Sequence, residues 1–139
     1  MAANTTPIFS GSPSIGIADG TVNTANTTKD LTAGTIYLVF TADATDGSRV
    51  SKIVWQPLGT NVATAGRIWI NNGSSTGTAT NNTLLRDLTL SATTNSEVAA
   101  IGNTEVLLDI ALPAGYRVYV TIGTGVAAGF DVTVIGGNY

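Results

Sequence analysis

The apolar runs in this chain are all short, and that brevity limits the fold more than any other feature. The longest unbroken run is IYLVF at residues 36–40. That falls far below the ~20 residues of a membrane helix and below the ~10–12 of a buried globular helix. Elsewhere apolar and polar residues alternate, as in RIWIN at 67–71, TEVLLDIAL at 104–112, YRVYVTI at 116–122 and FDVTV at 130–134. Period-two alternation marks strands, because successive side chains point to opposite faces of a sheet. About eight to nine such segments recur at spacings of about ten residues, divided by Gly, Asn, Asp and Pro turns. The pattern predicts an all-β, jelly-roll-like β-sandwich of about eight short antiparallel strands. An immunoglobulin-type sandwich is the rival, but the Cys-Trp-Cys signature of its best-known branch needs cysteine, and the chain has none.

At 139 residues the chain has the length of one domain, and folding at that size buries roughly two-thirds of the unfolded surface without disulfide support. We expect a single β-domain over residues 15–139, preceded by an extended arm over 1–14 in which Pro7 and Pro13 flank Ile8 and Phe9. Within the domain, 15–18 reads as a first strand and 21–30 as irregular. Residues 35–42 are apolar on both faces, which predicts the centre of the core. In 49–58, Ile53 and Trp55 face one way and Lys52, Val54 and Gln56 the other, with Pro57 demanding an edge or a bulge. In 66–72 the alternation sets Ile68 and Ile70 inward and Trp69 outward, either under a loop or available to a partner. Residues 71–83 form a polar, low-complexity loop expected to be exposed and mobile. The 84–91 segment reads as a strand with Leu84, Leu88 and Leu90 on one face, although Leu84, Leu85 and Leu88 also fit a helical stripe. Residues 96–101 add a short strand candidate. The 104–112 strand sets Val106, Leu108, Ile110 and Leu112 inward, the 116–122 strand follows the Pro113-Ala114-Gly115 turn, and the last strand begins at Phe130.

Composition removes most chemistries. Without His or Cys, the usual zinc and haem ligand sets are missing, and no histidine can activate a Ser or Thr nucleophile. Charged residues are only 11% of the chain and the net charge is −3. The six basic residues are scattered, so there is no basic stripe for nucleic acid. The N-terminus lacks the charged start and apolar stretch of a secretory signal. An eight-stranded outer-membrane barrel fits poorly, because 6% aromatics is thin for two interfacial girdles. We therefore expect no membrane, nucleic-acid or small-molecule partner, no cofactor, no metal, and no enzymatic activity.

Candidate motifs reduce to structural readings. Gly123, Gly125 and Ala128 match G-x-G-x-x-A, but Phe130 opens the next strand too soon for the helix that a dinucleotide site needs, so a hairpin is expected. Asp43, Asp46 and Gly47 resemble part of a calcium loop, yet two carboxylates fall short of the ~6–8 oxygens required, and a solvated turn is the expectation. Glu105 and Asp109 share one face of a strand ~13 Å apart, beyond the ~5–9.5 Å of glycosidase carboxylate pairs. A cross-strand pairing of Asp87 with Asp131 is the remaining arrangement of that kind. The N-x-Ser/Thr triplets at Asn4, Asn26, Asn72 and Asn81 follow from composition.

Three stretches carry a resemblance: SRVSKIVWQPLGTNVATAGRIWINNGSST, TNNTLLRDLTLSATTNSEVAA and ALPAGYRVYVTIGTGVAAGFDVTVIGGNY, together spanning residues 47–139. In texture and turn placement this part of the chain resembles the capsid decoration proteins of tailed bacteriophages, also called cement or head-stabilisation proteins. The resemblance implies a virion protein, made in the host cytoplasm, that binds the outer face of the assembled capsid. It implies a homotrimer that bridges neighbouring major capsid protein subunits against the pressure of packaged DNA. No functional residue carries over, because no motif is shared. On the residues alone, the expected partner contacts are Ile8, Phe9, Trp69 and Tyr139. The alternative is a carbohydrate- or receptor-binding β-module of a phage tail or secreted protein, with Trp69 and Tyr119 as stacking aromatics.

Overall fold

The computed structural model describes residues 10–139. Its strands are β1 (Ser12–Ile17), β2 (Tyr37–Thr41), β3 (Ser48–Pro57), β4 (Thr64–Asn71), β5 (Asn82–Leu90), β6 (Thr104–Leu112), β7 (Arg117–Ile122) and β8 (Phe130–Asn138). A one-turn 3-10 helix at Ala79–Asn81 is the only helical segment among the described residues. The strands form two four-stranded sheets, ordered β1-β8-β3-β6 and β2-β7-β4-β5. The first strand pairs with the last, β2 with β7, β3 with β6 and β4 with β5, all antiparallel. A ribbon nested in this way, with successive pairs alternating between two sheets, is a jelly roll.

The sheets enclose one core. Val50, Ile53 and Trp55 of β3 and Phe130, Val132 and Val134 of β8 face Ile68 of β4 and Val118, Val120 and Ile122 of β7. Trp55 and Phe130 meet edge to face with ring centroids 6.0 Å apart, the arrangement aromatic quadrupoles favour. Along one side of the sandwich β1 lies close against β2. A Cβ at Gly16 would collide with the Val39 carbonyl oxygen, so only glycine permits that approach.

Several expectations change. Residues 1–9 of the expected arm, with Ile8 and Phe9, lie outside the described residues, while Ser12, Pro13 and Ser14 already pair with β8. The segment expected at the centre of the core is an edge strand, β2. Its outward Leu38 packs against Leu31 and Ile36 from a connecting segment, so a strand apolar on both faces reflects a loop above it and not a central place in the sheet. In β5 a register shift opposite Ile68 and Trp69 resets the alternation. Leu85, Leu88 and Leu90 therefore face the core while Leu84 is exposed. Residues 96–101 form no strand. Residues 123–129 make no hairpin, because β7 and β8 belong to different sheets. Pro57 behaves as expected: pairing of β3 with β6 ends at Trp55, so its missing N–H leaves no ladder bond unmade on that side.

Candidate interaction surfaces

The two outer faces of the sandwich are built differently. On β2-β7-β4-β5, Trp69 points outward as the alternation requires, yet it is only 1% exposed. The 18–36 connection folds over it, and Leu31 and Ile36 pack with Trp69, Tyr119 and Leu38 into a second apolar cluster. Trp69 Nε1 donates to Thr121 Oγ1 at 3.0 Å. Asn26 shapes the covering segment from within: its Nδ2 donates to the carbonyls of Ala33 and Thr35, and its Oδ1 accepts from Thr28 N–H and Oγ1. Two further bonds fasten the segment to the sheet, Arg67 Nη1 to the Asn26 carbonyl at 3.1 Å and Asn82 Nδ2 to the Asp30 carbonyl at 2.9 Å. Trp69 is thus removed from the expected contact residues, because the loop reading holds. Tyr119 is buried beside it.

The outer face of β1-β8-β3-β6 has no such cover among the described residues. Ile15 is 65% exposed, Ile17 71%, Leu107 75% and Ile135 36%. These residues belong to three of the four strands, and the register sets them near one another: Ile15 opposite Ile135, Ile135 opposite Lys52, Lys52 opposite Leu107. The sequence carried a signal for this surface that the alternation reading passed over. Each of these side chains occupies the outward phase of its strand, and in β1 the inward phase is held by Gly16. The charges of the face are spent on each other. Arg49 pairs with Asp109, and Lys52 Nζ lies 3.1 Å from both carboxylate oxygens of Glu105. The Asp109 hydrogen bond and charge hold Arg49 protonated above its ordinary range. Glu105 and Asp109 therefore serve as ion-pair partners across β3 and β6. Asp109 adopts a positive φ of 48° at the register shift between these strands. Asp87 and Asp131 sit on different sheets, opposite Arg67 and Gln56.

A second exposed surface lies at one end of the sandwich, where the 58–63, 91–103 and 123–129 connections are tied together. Buried Asn61 is the knot: its Oδ1 accepts from Ala128 and Gly129 N–H, and its Nδ2 donates to the Gly129 carbonyl. Asn61 and Thr93 also exchange backbone bonds, and Thr93 Oγ1 donates to the Gly59 carbonyl. On this frame stand exposed Leu58 and Val62, with Val98 at 98% exposure. At the opposite end, the Asp43–Gly47 stretch is a turn, as expected: Asp43 Oδ1 accepts from Thr45 and Asp46 N–H, and Gly47 takes a φ of 79°. The 71–83 loop is largely exposed, as expected, and closes on itself through Asn71, Asn72, Asn81 and Asn82. Tyr139 is half-buried beside β3, its N–H donating to the Gly47 carbonyl. Among the described residues no group of three or more His, Cys, Asp or Glu side chains gathers to hold a metal. No protein family, curated protein or solved structure matches the chain.

Proposed function

We propose that the protein is a non-enzymatic virion structural protein of a tailed bacteriophage that binds the outer surface of the capsid and bridges neighbouring major capsid protein subunits. The observation that carries this reading is the presence of two differently directed apolar surfaces on one small β-domain: the bare sheet face, and the loop end with Leu58, Val62 and Val98. A bridging protein needs at least two contacts, and several weak contacts made together gain by avidity. Exposed apolar groups gathered on one surface mark interaction sites in folded proteins. The resemblance of residues 47–139 to decoration proteins points to the same function, although the homotrimer it implies gives way below to a pairing of two copies. In this reading the loop end meets the capsid, since its three connections are cross-tied and present apolar tips at little entropic cost. The sugar-binding alternative loses support, because Trp69 and Tyr119, its stacking pair, are both sealed beneath the 18–36 segment.

The test is co-sedimentation of the purified protein with empty expanded capsids from its source. Saturable recovery in the pellet at a fixed ratio to the major capsid protein is expected, together with a clear loss of recovery for Val98→Glu. Protein left in the supernatant at every concentration would exclude the reading.

A further inference from the structure

The bare face of β1-β8-β3-β6 has a composition that selects its own occupant. We infer that two copies of this chain pair through these faces, about a two-fold axis lying in the plane of contact. The row Ile15, Ile135, Lys52, Leu107 crosses all four strands. Lys52 turns its ammonium to Glu105, so its methylene stem lies between Ile135 and Leu107 and the row is apolar from edge to edge. A second row, Ile17, Thr133, Val54 and Glu105, runs beside it.

Charge decides against a partner that grips electrostatically. Arg49 and Lys52 are already engaged by Asp109 and Glu105. Among the described residues of this face, Asp131 alone has no ion-pair partner. The fitting surface is therefore one that is apolar along a matching line and carries little uncompensated charge, and the same face of a second copy meets both conditions. In an isologous contact the row meets itself. With the axis along the row, Ile15 lies against Ile15; with the axis across it, Ile15 lies against Leu107. The axis along the row sets Lys52 against Lys52, whereas the axis across it lays the Lys52 stem on Ile135 and keeps the two ammonium groups apart. The size is adequate as well. Four strands ~4.8 Å apart and about nine residues long at ~3.3 Å give a footprint of roughly 20 by 30 Å, which with side-chain relief is on the order of the ~800 Å² each partner contributes to a standard interface. Two sheets stacked in this way repeat the packing that already holds the sandwich together.

With the axis across the row, parallel to the strands, both loop ends lie at the same end of the pair, which supplies two capsid contacts per assembly. The pairing itself does not depend on the capsid reading, and its test uses no capsids. Sedimentation equilibrium and light scattering of the full chain are expected to give twice the 14.1 kDa chain mass. Ile15→Glu and Leu107→Glu are each expected to weaken the dimer by about tenfold or more. Both sites are largely exposed, so far-UV circular dichroism should stay native. Val98→Glu, at the loop end, leaves the mass unchanged. A wild-type monomer up to the solubility limit, a trimer, or a dimer insensitive to both face substitutions would overturn the inference. A dimer that fails to pellet with capsids keeps this inference and loses the capsid reading; a capsid-binding monomer does the reverse.

Discussion

The two outer faces of the jelly roll begin from the same sequence device and end in opposite states. Both carry large apolar side chains on the outward phase of their strands: Trp69, Tyr119 and Leu38 on one, Ile15, Ile17, Ile135 and Leu107 on the other. The first set is covered by the chain's own 18–36 segment, which contributes Leu31 and Ile36 and is held by Asn26, Arg67 and Asn82. The second set has no covering segment among the described residues. The first face is thus covered by a segment of its own chain, and the second is the one argued above to be covered by another copy.

Substitutions on the two faces should separate sharply. Trp69→Ala removes the largest side chain of the sealed cluster and its bond to Thr121, and is expected to cost about 3–5 kcal/mol of unfolding free energy in urea titrations. A cost below about 1 kcal/mol would show that the 18–36 segment adds little to the fold. Leu31→Ala opens the seal from the other side, at about 2–4 kcal/mol. It should also move Trp69 emission to the red and raise its quenching by acrylamide, with Trp55 still shielded in the core. Unchanged fluorescence would mean that Leu31 is not the lid. On the bare face, Ile17→Ser should change the stability of the dissociated chain by less than about 0.5 kcal/mol. A loss comparable to that of Leu31→Ala would place Ile17 in a packed environment and erase the contrast.

The smallest effect belongs to a turn on neither face. Backbone N–H groups of Asp46 and Thr45 hold the Asp43 carboxyl below the usual carboxylate range. Its folded-state pKa is depressed, so its contribution is present above the unfolded value of about 4 and is lost as pH falls through the folded value. Asp43→Asn keeps an accepting oxygen but has no charge to lose. Wild type should therefore lose stability relative to Asp43→Asn as pH drops from neutral toward about 3. A difference between the two that stays constant with pH would show that the carboxylate charge does not matter to the turn.

Much of the fold was legible in the residues. Period-two alternation, with a two-sided apolar run at 35–42 and turn signals at the ends, placed a strand near each of the eight, and 104–112 matches β6 end to end, because a strand's side-chain phase is a local property of the backbone; the short strand expected at 96–101 has no counterpart. The 84–91 segment shows where phase fails: a register shift between neighbouring strands has no signature in one strand's own alternation. The candidate surfaces were less accessible. Trp69 was correctly placed outward, but its burial depends on a polar segment, NTANTTKD, whose own pattern gives no hint that Asn26 will fold it into a cover. Asn61 likewise looks like any loop asparagine until the 123–129 connection is brought beside it.

What the chain determined alone was therefore its class: short strands with almost no helix among the described residues, a core closed without disulfides, and an inventory without histidine or cysteine. Only the tertiary structure decided which strands share a sheet, which outward aromatics are sealed, and which apolar residues are left in a row. Those outcomes depend on contacts between residues far apart in sequence, as when β1 pairs with β8 and the 18–36 segment reaches Trp69. Alternation records which way a side chain points, and the packing of distant segments settles what it meets there.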